Sequence, residues 1–265
     1  MNLTELRWLE TYINEPIKEW ETIDTGWDHE VYVVNGNWVL RIPKEERHVN
    51  CAEQKLLSEL QLKADIRLPT YRICKAPDGK EVMLYRYISG HPIHRDIPAD
   101  ARKEAAVQLG SFLTELHHVD TSRYELPKRD KVYYELLFEK IRRYYPSMPA
   151  SIIHHTEKLF TVLQTEPMAV VHGDLRTAHI LWEKAIGKIG IIDFSDVHIG
   201  DPAIDFAGIS QVGDGFMEQV LCHYDGDKHG ISQRAGELSK LGLFYDLLHN
   251  GPSSALLEEM ESKLK

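Results

Sequence analysis

The sequence predicts an α+β chain in two lobes: an N-terminal antiparallel sheet lobe with one internal helix over residues 1–88, and a larger, mainly helical lobe over residues 89–265. Three observations predict it. Short apolar runs with period-two spacing fill the first third, helical spacing fills the remainder, and two acidic loops interrupt an apolar, strand-like region between 169 and 196.

In chain order, Leu3, Leu6, Leu9 and Ile13 form one helical stripe. Glu19 to Ile23, Glu30 to Val34 and Trp38 to Ile42 read as strands, with Asn35-Gly36-Asn37 as the hairpin signal between the last two. A helix over Arg47 to Leu62 turns Ala52, Leu56, Leu57 and Leu60 inward, and strands Tyr71 to Lys75 and Glu81 to Tyr87 flank the turn Pro77-Asp78-Gly79-Lys80. The segment from Ser89 to about Ala99 is a connector rich in breakers. Beyond it, Asp100 to His118 is amphipathic through Leu109, Phe112, Leu113 and Leu116, and Lys131 to Tyr145 through Tyr134, Leu137, Phe138 and Ile141. Those aromatics read as core. Helices are expected again over Pro202 to Gln211, Phe216 to Tyr224, Ser232 to Leu248 and Ser253 to Leu264. No internal repeat or low-complexity tract is present.

The chain has 265 residues with 43% hydrophobic content, enough for one large or two modest domains. Three cysteines without metal-type spacing, and no signal-like N-terminus, lead to the expectation of a cytoplasmic protein. No apolar run reaches the roughly 20 residues of a membrane span, so no membrane partner is expected. A net charge of -10 argues against nucleic acid and favours a cationic or neutral small molecule, and a monomer is expected.

The chemistry concentrates in His172-Gly173-Asp174-Leu175-Arg176-Thr177-Ala178-His179 and in Asp193-Phe194-Ser195-Asp196. Ala169-Val170-Val171 and Ile180-Leu181-Trp182 bracket the first loop, and a hairpin through Ala185-Ile186-Gly187 returns Ile189-Gly190-Ile191-Ile192 beside it, delivering Asp193. Phosphoryl transfer needs that layout. One carboxylate takes the proton of an attacking hydroxyl, here Asp174; another holds a hard cation such as Mg²⁺ on the phosphates, here Asp193. His172 is expected to orient the loop through backbone hydrogen bonds, Asp201 to cap the following helix, and Asp205, one turn on, to anchor the loop. In the first lobe, the loop around Gly26 could cover phosphates through backbone N–H groups, and Arg41 with Glu53 could pair to hold them.

In this order the residues resemble the aminoglycoside phosphotransferase family, which has a two-lobed, protein-kinase-like fold and phosphorylates hydroxyls of small molecules. The resemblance runs over most of the chain and rests on Val39-Leu40-Arg41-Ile42-Pro43, Glu53, Leu68-Pro69, Ile88-Ser89-Gly90, His172-Gly173-Asp174, Ile192-Asp193 and Gly200-Asp201-Pro202-Ala203-Ile204-Asp205. It implies Asp174 as base, Asp193 as metal ligand, Arg41 and Glu53 as the phosphate-holding pair, and backbone near Arg86, Tyr87 and Ile88 as the hinge that meets the nucleotide base. It also implies Mg²⁺ and GTP or ATP. Two positions depart from the family pattern: Arg41 stands where kinases carry Lys, and His179 stands where the family carries Asn. A His there looks like the macrolide phosphotransferase branch, which makes His179 a second candidate metal ligand and a macrolide the expected acceptor. An aminoglycoside, or an endogenous choline-like or homoserine-like amino-alcohol, is the alternative acceptor. Two other classes compete: a nucleotide-binding pseudokinase, and a metal-dependent hydrolase built on His172, Asp174, His179 and Asp193.

Overall fold

Alternation in the first third sorts side chains to the two faces of one sheet. In the computed structural model, which describes residues 3–23, 29–44, 51–94, 96–163, 168–213 and 215–264, β1 (Trp20–Ile23), β2 (His29–Val34), β3 (Trp38–Pro43), β4 (Arg72–Lys75) and β5 (Glu81–Arg86) form an antiparallel sheet in the order β1-β2-β3-β5-β4. Asn35 and Gly36 both take positive φ, the turn geometry that lets β2 pair with β3 residue for residue. Tyr32 and Val34, Trp38 and Leu40, and Val82 and Leu84 face N-terminal helical turns that include α1 (Leu3–Leu6) and α2 (Glu10–Ile13), where Leu6, Leu9 and Ile13 are buried. Val33, Val39, Met83 and Tyr85 take the opposite face, against α3 (Cys51–Lys63). Arg41, two residues beyond Val39, therefore points to the same side.

The second lobe is helical, with two small sheets that carry the acidic loops. The first pairs β6 (His91–Pro92), β8 (Ile180–Glu183) and β9 (Lys188–Ile191), and the second pairs β7 (Ala169–Val171) with β10 (His198–Gly200). Around them pack α4 (Ala99–His117), α5 (Lys131–Arg142), α6 (Ala150–Val162), α7 (Ala203–Ile209), α8 (Phe216–Cys222), α9 (Ile231–Leu238), α10 (Leu241–Asn250) and α11 (Ser254–Lys263). One apolar core runs through both lobes, from Val39, Leu56 and Tyr85 to Phe112, Phe194 and Phe244.

Four differences from the sequence reading have local causes. The helix expected to reach Tyr145 stops at Arg142, because Pro146 has no N–H to donate to the Arg142 carbonyl, and Tyr145 to Ser147 form a short 3₁₀ turn instead. A single helix over Ser232 to Leu248 is two, broken at Ser239 and Lys240. A straight helix would turn Phe244 and Leu247 roughly opposite to Ile231 at 100° per residue, and the break lets all three reach the core. Helix α6 was not anticipated; its buried stripe of Ile152, Thr156, Leu159 and Phe160 includes a polar residue, whose hydroxyl donates to the Ile152 carbonyl. Strand β6 lies in what reads as a connector.

Phe244 is fully buried and meets Phe160 edge to face, with centroids 5.6 Å apart. We expect Phe244→Ala to lower unfolding free energy by about 3–5 kcal/mol, read from urea unfolding; a loss below about 1 kcal/mol would show that α10 does not belong to this core.

Candidate active site

Strand β7 is followed by His172, and the chain then turns sharply through Gly173, whose φ is +84°. A Cβ at Gly173 would lie 2.4 Å from the Asp196 carbonyl oxygen and 2.7 Å from His198 Nδ1, so only glycine admits this approach between the two acidic loops. The fully buried Asp205 of α7 fixes the turn. Its Oδ2 accepts from the His172 N–H at 2.9 Å and from His117 Nε2 at 3.1 Å, and its Oδ1 accepts from the Gly173 N–H at 2.9 Å. Burial alone would raise its pKa; the hydrogen bond and charge of His117, with His172 and the Gly173 N–H, hold it below the usual carboxylate value. Asp201 starts α7 by accepting from the Ala203 N–H at 2.9 Å and is paired with Arg234 of α9 at 2.8 Å. His172 donates through Nε2 to the Ile192 carbonyl at 3.0 Å, and its Nδ1 accepts from the Asp174 N–H at 3.3 Å.

These bonds bring the two acidic loops together. His179 Nδ1 lies 3.4 Å from Asp174 Oδ2, and His179 Nε2 lies 3.7 Å from Asp193 Oδ2, so one imidazole spans both carboxylates. Nδ1 also meets the Asp174 carbonyl at 2.7 Å. A carbonyl only accepts, so Nδ1 carries a proton, and in the neutral ring the Nε2 lone pair faces Asp193. Asp193 takes φ +64° and ψ +69°, unusual for a non-glycine residue, and this conformation turns its side chain into the cleft between the lobes. There it pairs with Arg41 Nη2 at 3.0 Å and accepts from the Ser195 hydroxyl at 2.7 Å.

The two carboxylates shift in opposite directions. Burial would raise both. At Asp193 Arg41, His179 and the Ser195 hydroxyl outweigh it and hold the pKa at about 2. At Asp174 burial prevails over His179 and Arg176, and the nearby Asp196 adds to it, so the pKa sits above the ordinary aspartate value. Arg176 Nε approaches Asp174 Oδ2 at 3.3 Å, and Arg129 pairs with Asp196 at 2.8 Å while lying against Tyr133 and Tyr245.

Other candidates are placed as follows. The ion pair of Arg41 goes to Asp193; Glu53 is buried in the same cluster, where it hydrogen-bonds with the Tyr71 hydroxyl and feels the Arg41 charge. Its Oε1 has no partner. In the expected hinge, the Tyr87 N–H is occupied by the Asn37 carbonyl at 2.8 Å, the Arg86 guanidinium stacks on Trp38 at 3.8 Å, and Ile88 is buried. Gly26 lies outside the described residues. Residues that sequence reasoning missed are His117, Arg129 and Arg176; the cation two places after Asp174 was legible, whereas partnerships spanning dozens of residues were not.

A divalent cation fits the Asp193 side. Among the described residues no group of three or more His, Cys, Asp or Glu side chains could hold a metal, which suits Mg²⁺, bound through one or two protein groups with phosphates and water. Asp193 is ionised, and His179 Nε2 lies 3.7 Å from its Oδ2. The hydrolase arrangement fails on donors, because both His172 ring nitrogens are engaged with backbone.

A sequence profile of the phosphotransferase enzyme family matches residues 19–229. The chain belongs to this family. It is a phosphotransferase. Its structure is similar to that of the GDP and kanamycin complex of APH(2″)-IIIa, with a TM-score of 0.80, 24% identity, and coverage of 98% of this chain and 96% of that chain. It is also similar to macrolide 2′-phosphotransferase MphH from Brachybacterium faecium, with a TM-score of 0.71, 22% identity and coverage of 99% and 97%. Viomycin phosphotransferase of Streptomyces vinaceus is 39% identical over 70 residues, a stretch that spans 25% of this chain and 24% of that enzyme. No helix among the described residues of the phosphotransferase is long and apolar enough to cross a membrane.

His198 is buried beside the catalytic loop and donates through Nδ1 to the Asp196 carbonyl at 2.7 Å. Burial, with Arg129 nearby, pushes its pKa down to about 4, against about 6.5 in an unfolded chain. The unfolded chain binds that proton first as pH falls, so stability held above pH 6.5 is lost down to about pH 4, by on the order of 3 kcal/mol. His198→Gln should flatten the urea midpoint against pH across that window, and an unchanged slope would assign the loss to other groups.

Proposed function

We propose that this phosphotransferase moves the γ-phosphoryl group of GTP or ATP to a hydroxyl of a polyhydroxylated amine of the aminoglycoside type, in preference to a macrolide. The observation that carries the reading is the convergence of Asp174 and Asp193 on the two sides of His179, at 3.4 and 3.7 Å. Residues 1–88 would then grip the nucleotide, and residues 89–265 would carry the catalytic and acceptor side.

Arg41, buried and held against Asp193, is placed to bind phosphate oxygens, with Glu53 and Tyr71 fixing its strand-facing side. Asp193 and His179 would hold Mg²⁺, which supplies charge neutralisation between the phosphates. Asp174 orients the acceptor hydroxyl and takes its proton as the new P–O bond forms and the bond to the β-phosphate oxygen breaks. Its raised pKa helps in that role, because a more basic carboxylate accepts a late proton more readily.

Acceptor class is supported by charge and by likeness. The net charge of -10 suits a polycation. Asp196, a half-exposed carboxylate bound by Arg129 through Oδ1, lies beside the base and adds negative charge there. The solved relative with a TM-score of 0.80 is described with kanamycin, whereas the macrolide enzyme aligns at 0.71. These outweigh the macrolide-like His179.

Nucleotide turnover should rise with aminoglycosides, and phosphorus NMR should show a new phosphate ester on them; ester formation on macrolides alone would overturn the acceptor assignment. Asp174→Ala should lower kcat by about 10²–10⁴-fold with nucleotide affinity nearly unchanged. Asp193→Ala should abolish metal-dependent turnover while circular dichroism stays that of the parent. Full activity in either variant would refute the placement of the base or of the metal.

A further inference from the structure

The two lobes are joined by chain at residues 87–90, and a second tie holds them at Arg67. This residue follows α3 and belongs to the N-terminal part of the chain, yet its backbone pairs with the second lobe: the Arg67 N–H donates to the Ile189 carbonyl at 3.0 Å, and the Ile191 N–H donates to the Arg67 carbonyl at 3.0 Å. Arg67 thus acts as one more strand position on β9. Its guanidinium then reaches over the connector. Nη1 donates to the Ser89 hydroxyl at 3.1 Å, and Nη2 donates to the Ser89 carbonyl at 2.8 Å and approaches the Lys188 carbonyl at 3.5 Å.

The connector has little freedom beneath that fork. A Cβ at Gly190 would lie 2.4 Å from Ile88 Cγ2 and 3.5 Å from Arg67 Nη2, so Ile88 and the guanidinium both pack on a bare backbone position of β9. Gly90 has φ +131°, and a Cβ there would lie 3.0 Å from the Trp182 carbonyl carbon and oxygen of β8. Glu183 hydrogen-bonds with the Ser89 side chain from below. An ordinary surface arginine does not make three bonds to two chain segments. Strand β9 also leads into Asp193, two residues past the amide bonded to Arg67.

We infer that Arg67 is a positioning residue, a clamp between connector and β9 that sets the separation of Arg41 in the first lobe from Asp193 in the second, and through it the fit of the nucleotide phosphates. The inference rests on the nucleotide site proposed above. Loss of the fork frees Ser89 while leaving the backbone pair to β9 intact, so the lobes stay attached but their angle is no longer fixed.

Steady-state kinetics and equilibrium binding of a fluorescent nucleotide test it, with thermal unfolding as the check on folding. Arg67→Ala should raise nucleotide KM and Kd about 10-fold, with acceptor KM within about 2-fold. In an Arg41→Ala background the same substitution should change nucleotide Kd less than about 2-fold, because the group being positioned is gone. Arg67→Lys, which offers one ammonium to the Ser89 sites, should fall between, and it carries the test if the alanine variant does not fold. Asp65→Ala, which removes the neighbouring Lys188 ion pair on the surface, should leave nucleotide affinity unchanged. Unchanged nucleotide affinity in Arg67→Lys and Arg67→Ala, or equal effects of Arg67→Ala with and without Arg41, would overturn the clamp. Unchanged nucleotide affinity in Arg41→Ala alone would instead overturn the nucleotide site.

Discussion

Three carboxylates share one cleft, and the need to hold that negative charge in a partly buried place is the constraint around which the rest of the site is arranged. Asp174, Asp193 and Asp196 are each matched by a separate arginine, Arg176, Arg41 and Arg129 respectively. The arginines come from different parts of the chain: the catalytic loop itself, strand β3 of the opposite lobe, and the segment before α5. At Asp174 burial and the neighbouring Asp196 raise the pKa in spite of His179 and Arg176. Distribution of the cations decides which carboxylate stays fully ionised. Asp193, facing the buried Arg41, does so most firmly.

That division suits two tasks on one reaction path. A metal-holding group works best as a permanent anion, and a proton acceptor works best when its basicity is raised. The same two side-chain types meet both needs because their surroundings differ. Neutral imidazoles complete the arrangement: His172 bonds backbone on both nitrogens, and His198 fills the space next to Gly173 and Gly200. Neither carries charge into the cleft. Asp205, a buried carboxylate without an arginine, is offset by two backbone N–H groups and His117.

The order of elements was legible because alternation and helical stripes are local properties, and Asp174 and Asp193 were legible because short strands bracket them. The hairpin at Asn35-Gly36 and the capping by Asp201 follow from side-chain chemistry within a few residues. What was hidden is long-range. His117 reaches Asp205 across 88 residues, and Arg129 reaches Asp196 across 67, distances at which spacing carries no signal. The expectation that Arg41 would pair with Glu53 came from lobe-internal reasoning. The structure directs that guanidinium across the cleft to Asp193 and leaves Glu53 with Tyr71. Helix α6 was obscured by a threonine in its inward stripe, and the bend between α9 and α10 by apolar spacing that reads as continuous.

The apolar core that passes uninterrupted from beneath the sheet into the helical lobe makes the chain a single cooperative body. Two lobes with separate cores would melt in two steps and could be prepared as independent fragments. Here Leu56 and Tyr85 draw part of their shelter from the larger half, so cutting the connector would expose oily surface on both pieces.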